Sequence, residues 1–483
     1  MRLLPHLLVL VAYFALGTLI AYASRRYVEA DSRSYFVAGY RLSGFLSAMT
    51  YAATTYSAFM MVGLVGLSYA TGVGAFGFEI MYFIATLALL TLFAERVWRA
   101  ARERRWVTPA EMLGDLYKST TLRLGVALLS LIALIPYASA QLVGIGSLFT
   151  SIVGSYEIGV FAGAVIVVLW TLTAGIWSVA STDAFQGLWM LIAALSFITW
   201  IVLYVTQLHH VPLPKLLEVL SEKMLLGLHP PWSLTVFLAY TIPWIFFAVT
   251  NPQVVQRIYM PRDDRALRRM ILLFAVFGLI YTVIVTLSGL IIRGASELGL
   301  IPLISNRDMV TPYILNIMNP LLAAFIFTSI VAAAVSTMDS IILTLASSTA
   351  HDIVKEHKAA IRYLTIIALT LLTLAFSLLR LGFIVELSVL SSILLLPLAP
   401  ITLFAWCLPD HVKGLGVPAL LSIVLGDCIV LAFALTKGIK SIFTYSLLGF
   451  IPIPLLVLVT STAVLLAGLV ARNISRDSSP QKT

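Results

Sequence analysis

Apolar residues run through this chain in long uncharged blocks, not in the alternation of a half-buried strand or the single stripe of a surface helix. Blocks long enough to cross about 30 Å of hydrocarbon predict thirteen membrane helices, at 6–24, 43–72, 74–94, 125–153, 158–175, 184–206, 233–250, 270–292, 313–347, 363–379, 383–407, 415–436 and 446–470. About 20 residues suffice for a straight crossing, so the longer blocks at 43–72 and 313–347 have room for tilt or a break. Inside the first, Ala52-Ala53-Thr54-Thr55-Tyr56-Ser57 is rich in β-branched and hydroxyl side chains that compete with helix hydrogen bonds. The block at 233–250 is bracketed by Pro243 and by Thr250-Asn251-Pro252, and proline removes helix bonds. Transporters built from inverted repeats break helices at corresponding positions in each half. Spans two and seven are five apart, and an odd offset reverses their orientation. The pattern predicts an all-α membrane protein with two inverted five-helix repeats. Its parts are a first helix and inner loop (1–42), spans two to six (43–206), spans seven to eleven (207–407), and two peripheral helices with a tail (408–483).

Composition agrees: 60% of the 483 residues are hydrophobic and 11% charged, against about 25% charged in soluble domains. The net charge of +9 is a topology signal and not a nucleic-acid footprint. Of the 31 Lys and Arg, 23 fall in alternate loops on one side and 8 on the other. The positive-inside rule then puts the N-terminus outside and the tail from Ala471 in the cytoplasm, across an inner cell membrane. Ala21-Tyr22-Ala23 resembles a signal-peptide cleavage site, but the apolar run is longer than a signal peptide's and Arg25-Arg26 follow as a positive stop. A retained helix is expected. Cys407 and Cys428 fall in or at the ends of spans and form no metal spacing. The longest extramembrane pieces, 95–124, 207–232 and 251–269, are too short for an independent core. A catalytic head or sensor output domain is therefore not expected.

A desolvated hard cation needs several oxygen ligands, which membrane helices supply from unwound carbonyls and hydroxyls. In Ala333-Ala334-Val335-Ser336-Thr337-Met338-Asp339-Ser340, the hydroxyls of Ser336 and Thr337 lie three and four residues beyond Ala333, on the face of its carbonyl. From the charge-derived topology, Ala53 and Thr337 each lie roughly 10 residues, or about 15 Å, from the inner face. The two patches are expected to meet near the midplane. The plainer alternative is that Ser and Thr here simply pack helices together.

Seven patches in sequence order carry a further resemblance. They are Tyr35 to Gly39; Ala53 to Ser57 with Gly66 to Gly72; Thr108 to Glu111; Pro136-Tyr137 with Gln141; Gly175 to Val179 with Thr182-Asp183 and Gln186; Thr250 to Pro252 with Gln256-Arg257; and Ala333 to Thr337. Together, over about 35–355, they resemble the sodium:solute symporter family, closest in layout to its thirteen-helix proline and pantothenate carriers. The resemblance implies the leucine-transporter fold and sodium (Na+) as the coupling ion. It also implies a sodium site made of the carbonyls of Ala53, Tyr56 and Ala333 and the hydroxyls of Ser336 and Thr337. Thr55 stands where proline carriers have an aspartate, so charge balance must come from elsewhere. Two intramembrane acids are available, and such acids are usually functional. Asp183 is read as opening span six at the inner side, and Asp339 lies one turn beyond Ser336. Positions matching Asp183, Ser336, Asp339 and Ser340 form a second sodium site in some family members. Asp183 and Asp339 are accordingly expected to form a second cation or proton site, unless Asp183 only caps a helix N-terminus.

The solute, a small organic molecule such as an amino acid, monocarboxylate or vitamin, is expected among spans two, three, four, seven and eleven. By resemblance Trp244, Tyr137, Ser57 and Thr55 line its cavity. Ala248 replaces a tyrosine of the proline carriers, which weakens the case for proline. Glu79 matches a substrate-contact glutamate of sugar carriers, with simple hydration near the outer interface as its alternative. Glu386 lies near the same interface, Asp427 suits a helix–helix bond, and other aromatic residues are read as mostly lipid-facing. A channel would need a continuous polar lining, and a membrane enzyme a His or Cys constellation. His6, His209, His210, His229, His351, His357 and His411 all fall near membrane ends or in loops. The open alternative is proton coupling through Asp183 and Asp339. Beyond the solute and the lipid bilayer, no protein partner is expected.

Overall fold

The structure is a computed structural model describing residues 3–29, 31–227, 232–355 and 359–477; His229 and His357 lie outside the described residues. Ten helices are long and apolar enough to cross a membrane, and two bent pairs raise the number to twelve. Span seven, the one of the thirteen expected that is missing from this number, falls short because its backbone is cut. Leu234–Ile245 is followed by Phe247–Thr250 and Pro252–Tyr259, with Asn251 extended (φ −85°, ψ 112°) just ahead of Pro252. Proline cannot donate to the preceding turn, and the residue before it is pushed out of the α region.

Burial separates the core from the periphery. The most apolar stretches of span four (Thr120–Val153) and span nine (Pro320–Val354) are 78% and 83% buried, against 17% for span one and 28% for spans ten, twelve and thirteen. Spans four and nine are therefore central, and the others face lipid. Small residues let the central helices close up. A Cβ on Gly289 of span eight, for example, would sit 2.3 Å from the Val65 carbonyl of span two.

Several expected boundaries change. The block at 313–347 is two helices, Val310–Ile317 and Pro320–Ser348, because Asn319 caps the second and Pro320 starts it. The final block begins at Ile453, after a short hairpin pairing Ser446-Leu447 with Ile451-Pro452. Spans five and six share one helical run, Tyr156–Leu203. Straight, its 48 residues would reach about 72 Å, yet Tyr13 touches Trp170 on one arm and Phe185 and Trp189 on the other, at 5.6, 6.0 and 5.7 Å. The run folds back at Gly175, which takes φ +56° and packs so close that a Cβ would lie 2.5 Å from the Tyr35 carbonyl. Span six thus starts at Gly175, and Asp183 lies two turns inside it. The expectation that Asp183 opens the span is wrong, and the N-cap reading goes with it.

Many aromatic rings face inward, contrary to the lipid-facing expectation: Tyr13, Tyr51, Tyr69, Tyr82 and Tyr281 are all fully buried. Each borders another helix, where a broad ring fills more of the gap than an aliphatic chain.

Candidate ion and solute site

Span two is helical from Gly44 to Thr55, breaks at Tyr56 (φ −95°, ψ 108°), and resumes through a π-helical turn at Phe59–Leu64. The two halves meet at 47°. Paired β-branched Thr54 and Thr55 favour the break, and local polar groups take the freed donors. The Ala58 N–H donates to Gln141 Oε1 at 3.3 Å and the Phe59 N–H to Ser57 Oγ at 3.1 Å.

Span nine packs its hydroxyls against this break. Ser336 Oγ donates to the carbonyls of Ala53 and Ala333, both at 3.0 Å, and Thr337 Oγ1 to Ala53 at 2.9 Å. The Thr337 hydroxyl also approaches the Thr54 carbonyl at 3.4 Å. Ala53, Ala333, Ser336 and Thr337 therefore converge as fully buried oxygens from two helices. Tyr56 stands at the break itself, its N–H held by the Ala52 carbonyl at 2.7 Å. Hydroxyl and carbonyl oxygens both retain lone pairs, so these oxygens suit a hard monovalent cation such as sodium.

Beside it lies a layer of ionisable groups. Asp183 accepts from Thr50 at 2.6 Å and Asp339 from Thr171 at 2.9 Å, while Asp183 Oδ1 has no partner among the described residues. The Ser340 hydroxyl pairs with Thr54 at 2.8 Å and accepts from Arg257 at 2.6 Å, so it joins this layer through the arginine. Arg257 is 1% exposed, and both it and Asp339 lie within electrostatic reach of Asp183. In the sequence Arg257 stands out only as part of the Thr250 to Arg257 patch. It belongs to the cut segment Pro252–Tyr259, and that cut is what carries it into the bundle. Two acids and one arginine thus share one buried layer beside the oxygen cluster.

The solute positions form an aromatic wall. Trp244 stacks with Phe59 and Phe247, ring centroids 4.9 and 5.0 Å apart, and meets Tyr82 edge-on at 5.0 Å. Tyr137 reaches toward the Thr55 carbonyl at 3.5 Å. Ser57 is buried beside it, and Thr55 Oγ1 and Trp244 Nε1 lack partners. Glu79 is fully buried, not hydrated at an interface.

Polar clasps close both ends of this region. At one end Arg307 pairs with Glu386, which also accepts from Tyr240 at 2.8 Å, and Asp308 accepts the Ile384 N–H at 3.1 Å. Glu386 is thus engaged, not merely near an interface. At the other end Asp352 binds Arg123 and Thr108, each at 2.7 Å, and Gln256 donates to the Val107 carbonyl at 2.8 Å. Asp427 has one oxygen without a partner, so the structure does not supply its expected interhelical bond at that atom. Cys407 and Cys428 are free and exposed on the bundle surface.

Broken helices meeting at a buried oxygen cluster, in a helical bundle clasped at both ends, define a membrane transporter of the leucine-transporter fold. Among solved structures, a Na+-coupled sialic acid symporter in a substrate-bound outward-open state matches with a TM-score of 0.80 at 17% identity, over 97% of this chain and 98% of that one. Mhp1, a nucleobase-cation-symport-1 family transporter, matches at 0.55 and 13% identity, over 93% and 96%. The osmoregulated proline transporter OpuE of Bacillus subtilis is 26% identical over 71% of this chain and 70% of its own length. Sodium/proline symporter 2 of Staphylococcus saprophyticus is 24% identical over 72% and 68%. The model of the sodium:solute symporter family matches residues 35–405. The chain belongs to that family and is a sodium-coupled, multi-pass membrane symporter.

Proposed function

We propose that the chain takes up a small organic solute together with sodium, the ion being held by the carbonyls of Ala53, Tyr56 and Ala333 and the hydroxyls of Ser336 and Thr337. The observation that carries this reading is the pair of hydroxyls on span nine bonded to the Ala53 carbonyl beside the break in span two. A site shared between two halves of the bundle can couple ion occupancy to their relative position, as alternating access requires. The charge asymmetry of the loops supports an N-terminus outside and a cytoplasmic C-terminus. The breaks in spans two and seven support inverted repeats at 43–206 and 207–407. Relatives named for proline bring amino acids forward as solutes, while Ala248 and Thr55 argue for a different member of that class.

A second reading concerns the ion count. Asp183, Asp339 and Ser340 form a second cation or proton site, supported by Asp183 Oδ1, unpartnered among the described residues, and by two buried acids beside the one arginine that binds Ser340. Uptake of labelled amino acids, monocarboxylates, vitamins and sugars into proteoliposomes tests both readings when sodium and pH gradients are imposed separately. Sodium-driven accumulation is expected, and accumulation indifferent to sodium defeats the first reading. Asp339→Asn is expected to change the sodium stoichiometry or the pH dependence; if neither moves, the second site is lost.

A further inference from the structure

Glu79 is a buried acid that the sodium chemistry leaves unused. It is 0% exposed, and neither carboxylate oxygen has a hydrogen-bond partner among the described residues. The buried arginines are committed elsewhere, Arg257 to Ser340 and Arg307 to Glu386. A carboxylate held out of water without a partner is unfavourable enough that one is retained for a group that comes and goes.

Its surroundings say what that group is. Tyr56, Tyr82 and Tyr137 lie within electrostatic reach of the carboxylate. Trp244 stands edge-on to Tyr82 at 5.0 Å and to Phe78, the residue before Glu79, at 5.8 Å. The Tyr82 hydroxyl and Trp244 Nε1 are also without partners among the described residues. A carboxylate and aromatic rings share one preference, a cation, and rings favour a soft, bulky ammonium. An anionic solute would set like charge against Glu79; a neutral one could hydrogen-bond the acid, as the resemblance to sugar carriers implies, but only a cation also balances the ionised carboxylate.

We infer that the transported solute carries a cationic nitrogen, a primary to quaternary ammonium, paired with Glu79 and walled by Trp244 and Tyr82. The inference rests on the symport reading above and narrows its solute classes to amino acids and other amine-bearing molecules, excluding simple monocarboxylates.

Matched probes test it on the full chain in proteoliposomes: proline against cyclopentanecarboxylate, and choline against its uncharged carbon isostere 3,3-dimethylbutan-1-ol. Only ammonium-bearing probes should accumulate or compete, and Glu79→Gln should weaken them by about tenfold or more, with Glu79→Asp weakened less. Sodium-dependent tryptophan fluorescence, read in parallel, should persist in Glu79→Gln. A charge-free isostere handled as well as its partner overturns the inference, as does an unchanged Glu79→Gln. Loss of the sodium response in Glu79→Gln alone also overturns it, because Glu79 would then be an ion ligand. Absence of any sodium response in the unmodified chain instead defeats the symport reading, and the isostere comparison still decides this one. That comparison also stands if Glu79→Gln fails to fold.

Discussion

Ser336 and Thr337 reach the same carbonyl from one helix, Ala53, at 3.0 and 2.9 Å. Removing either hydroxyl takes away one oxygen, worth about 1–1.5 kcal/mol, so Ser336→Ala or Thr337→Ala should raise the sodium concentration for half-maximal uptake roughly tenfold. Thr337→Ser, which keeps the hydroxyl, should stay near the original value; a sodium titration of uptake reads all three. This part of the site was legible because hydroxyls at three and four residues from Ala333 share a helix face whatever the tertiary structure. The full burial of Glu79 and Arg257 was not legible, since it depends on neighbours far away in sequence. Outside the spans, burial pushes the Asp308 carboxyl up from 3.8 to about 6. An acid with a raised folded pKa is disfavoured when ionised. The cost is absent below the unfolded value, grows as pH rises from 3.8 to 6, and then levels at about 3 kcal/mol. Melting temperature in detergent should fall over that window, and Asp308→Asn, which keeps an acceptor for the Ile384 N–H, should flatten the fall.

Between elements, the two clasps do different work from the ion cluster. Arg307, Glu386 and Tyr240 tie the loop before Val310–Ile317 to spans seven and eleven. Asp352, Arg123 and Thr108 tie the far end of span nine to span four and the helix Pro109–Tyr117. If alternating access opens the proposed solute site at either end, these contacts are expected to release in turn. With Cys407 and Cys428 replaced by alanine and Ser57 by cysteine, Glu386→Gln should speed labelling by a membrane-impermeant maleimide from one face of the membrane. Asp352→Asn should speed it from the other, and equal rates would mean that the clasps are static. The elements themselves were readable as apolar blocks, and the break in span two from its threonines. The turn between spans five and six was readable too, since span five was expected to end at 175, but the expected connection at 176–183 is helix: Gly175 reverses the chain by itself at φ +56°, and an apolar stretch without a loop gives no sign of where the next helix starts. Span nine was read too long for a similar reason: Asn319-Pro320 lies between two apolar stretches and carries no charge.

For the molecule as a whole, an ion that binds between spans two and nine binds the folded bundle and not the separated helices. Sodium at 100 times its dissociation constant should therefore stabilise the fold by about 2.7 kcal/mol. The shift in melting temperature between sodium and choline chloride buffers measures it, and Ser336→Ala combined with Thr337→Ala should abolish most of it. A different consequence follows for how the bundle is assembled during synthesis. Spans five and six turn at a single glycine, and residues 174–183 contain no Lys or Arg. A turn without a positive charge gives the pair no orientation signal of its own, because orientation is set by Lys and Arg in the flanking loops. Its direction is then expected to come from neighbouring helices. Arg25 just after span one, whose Nε donates to the Thr173 carbonyl at 3.2 Å, makes the first helix such a guide, so the order of synthesis becomes part of the fold's specification.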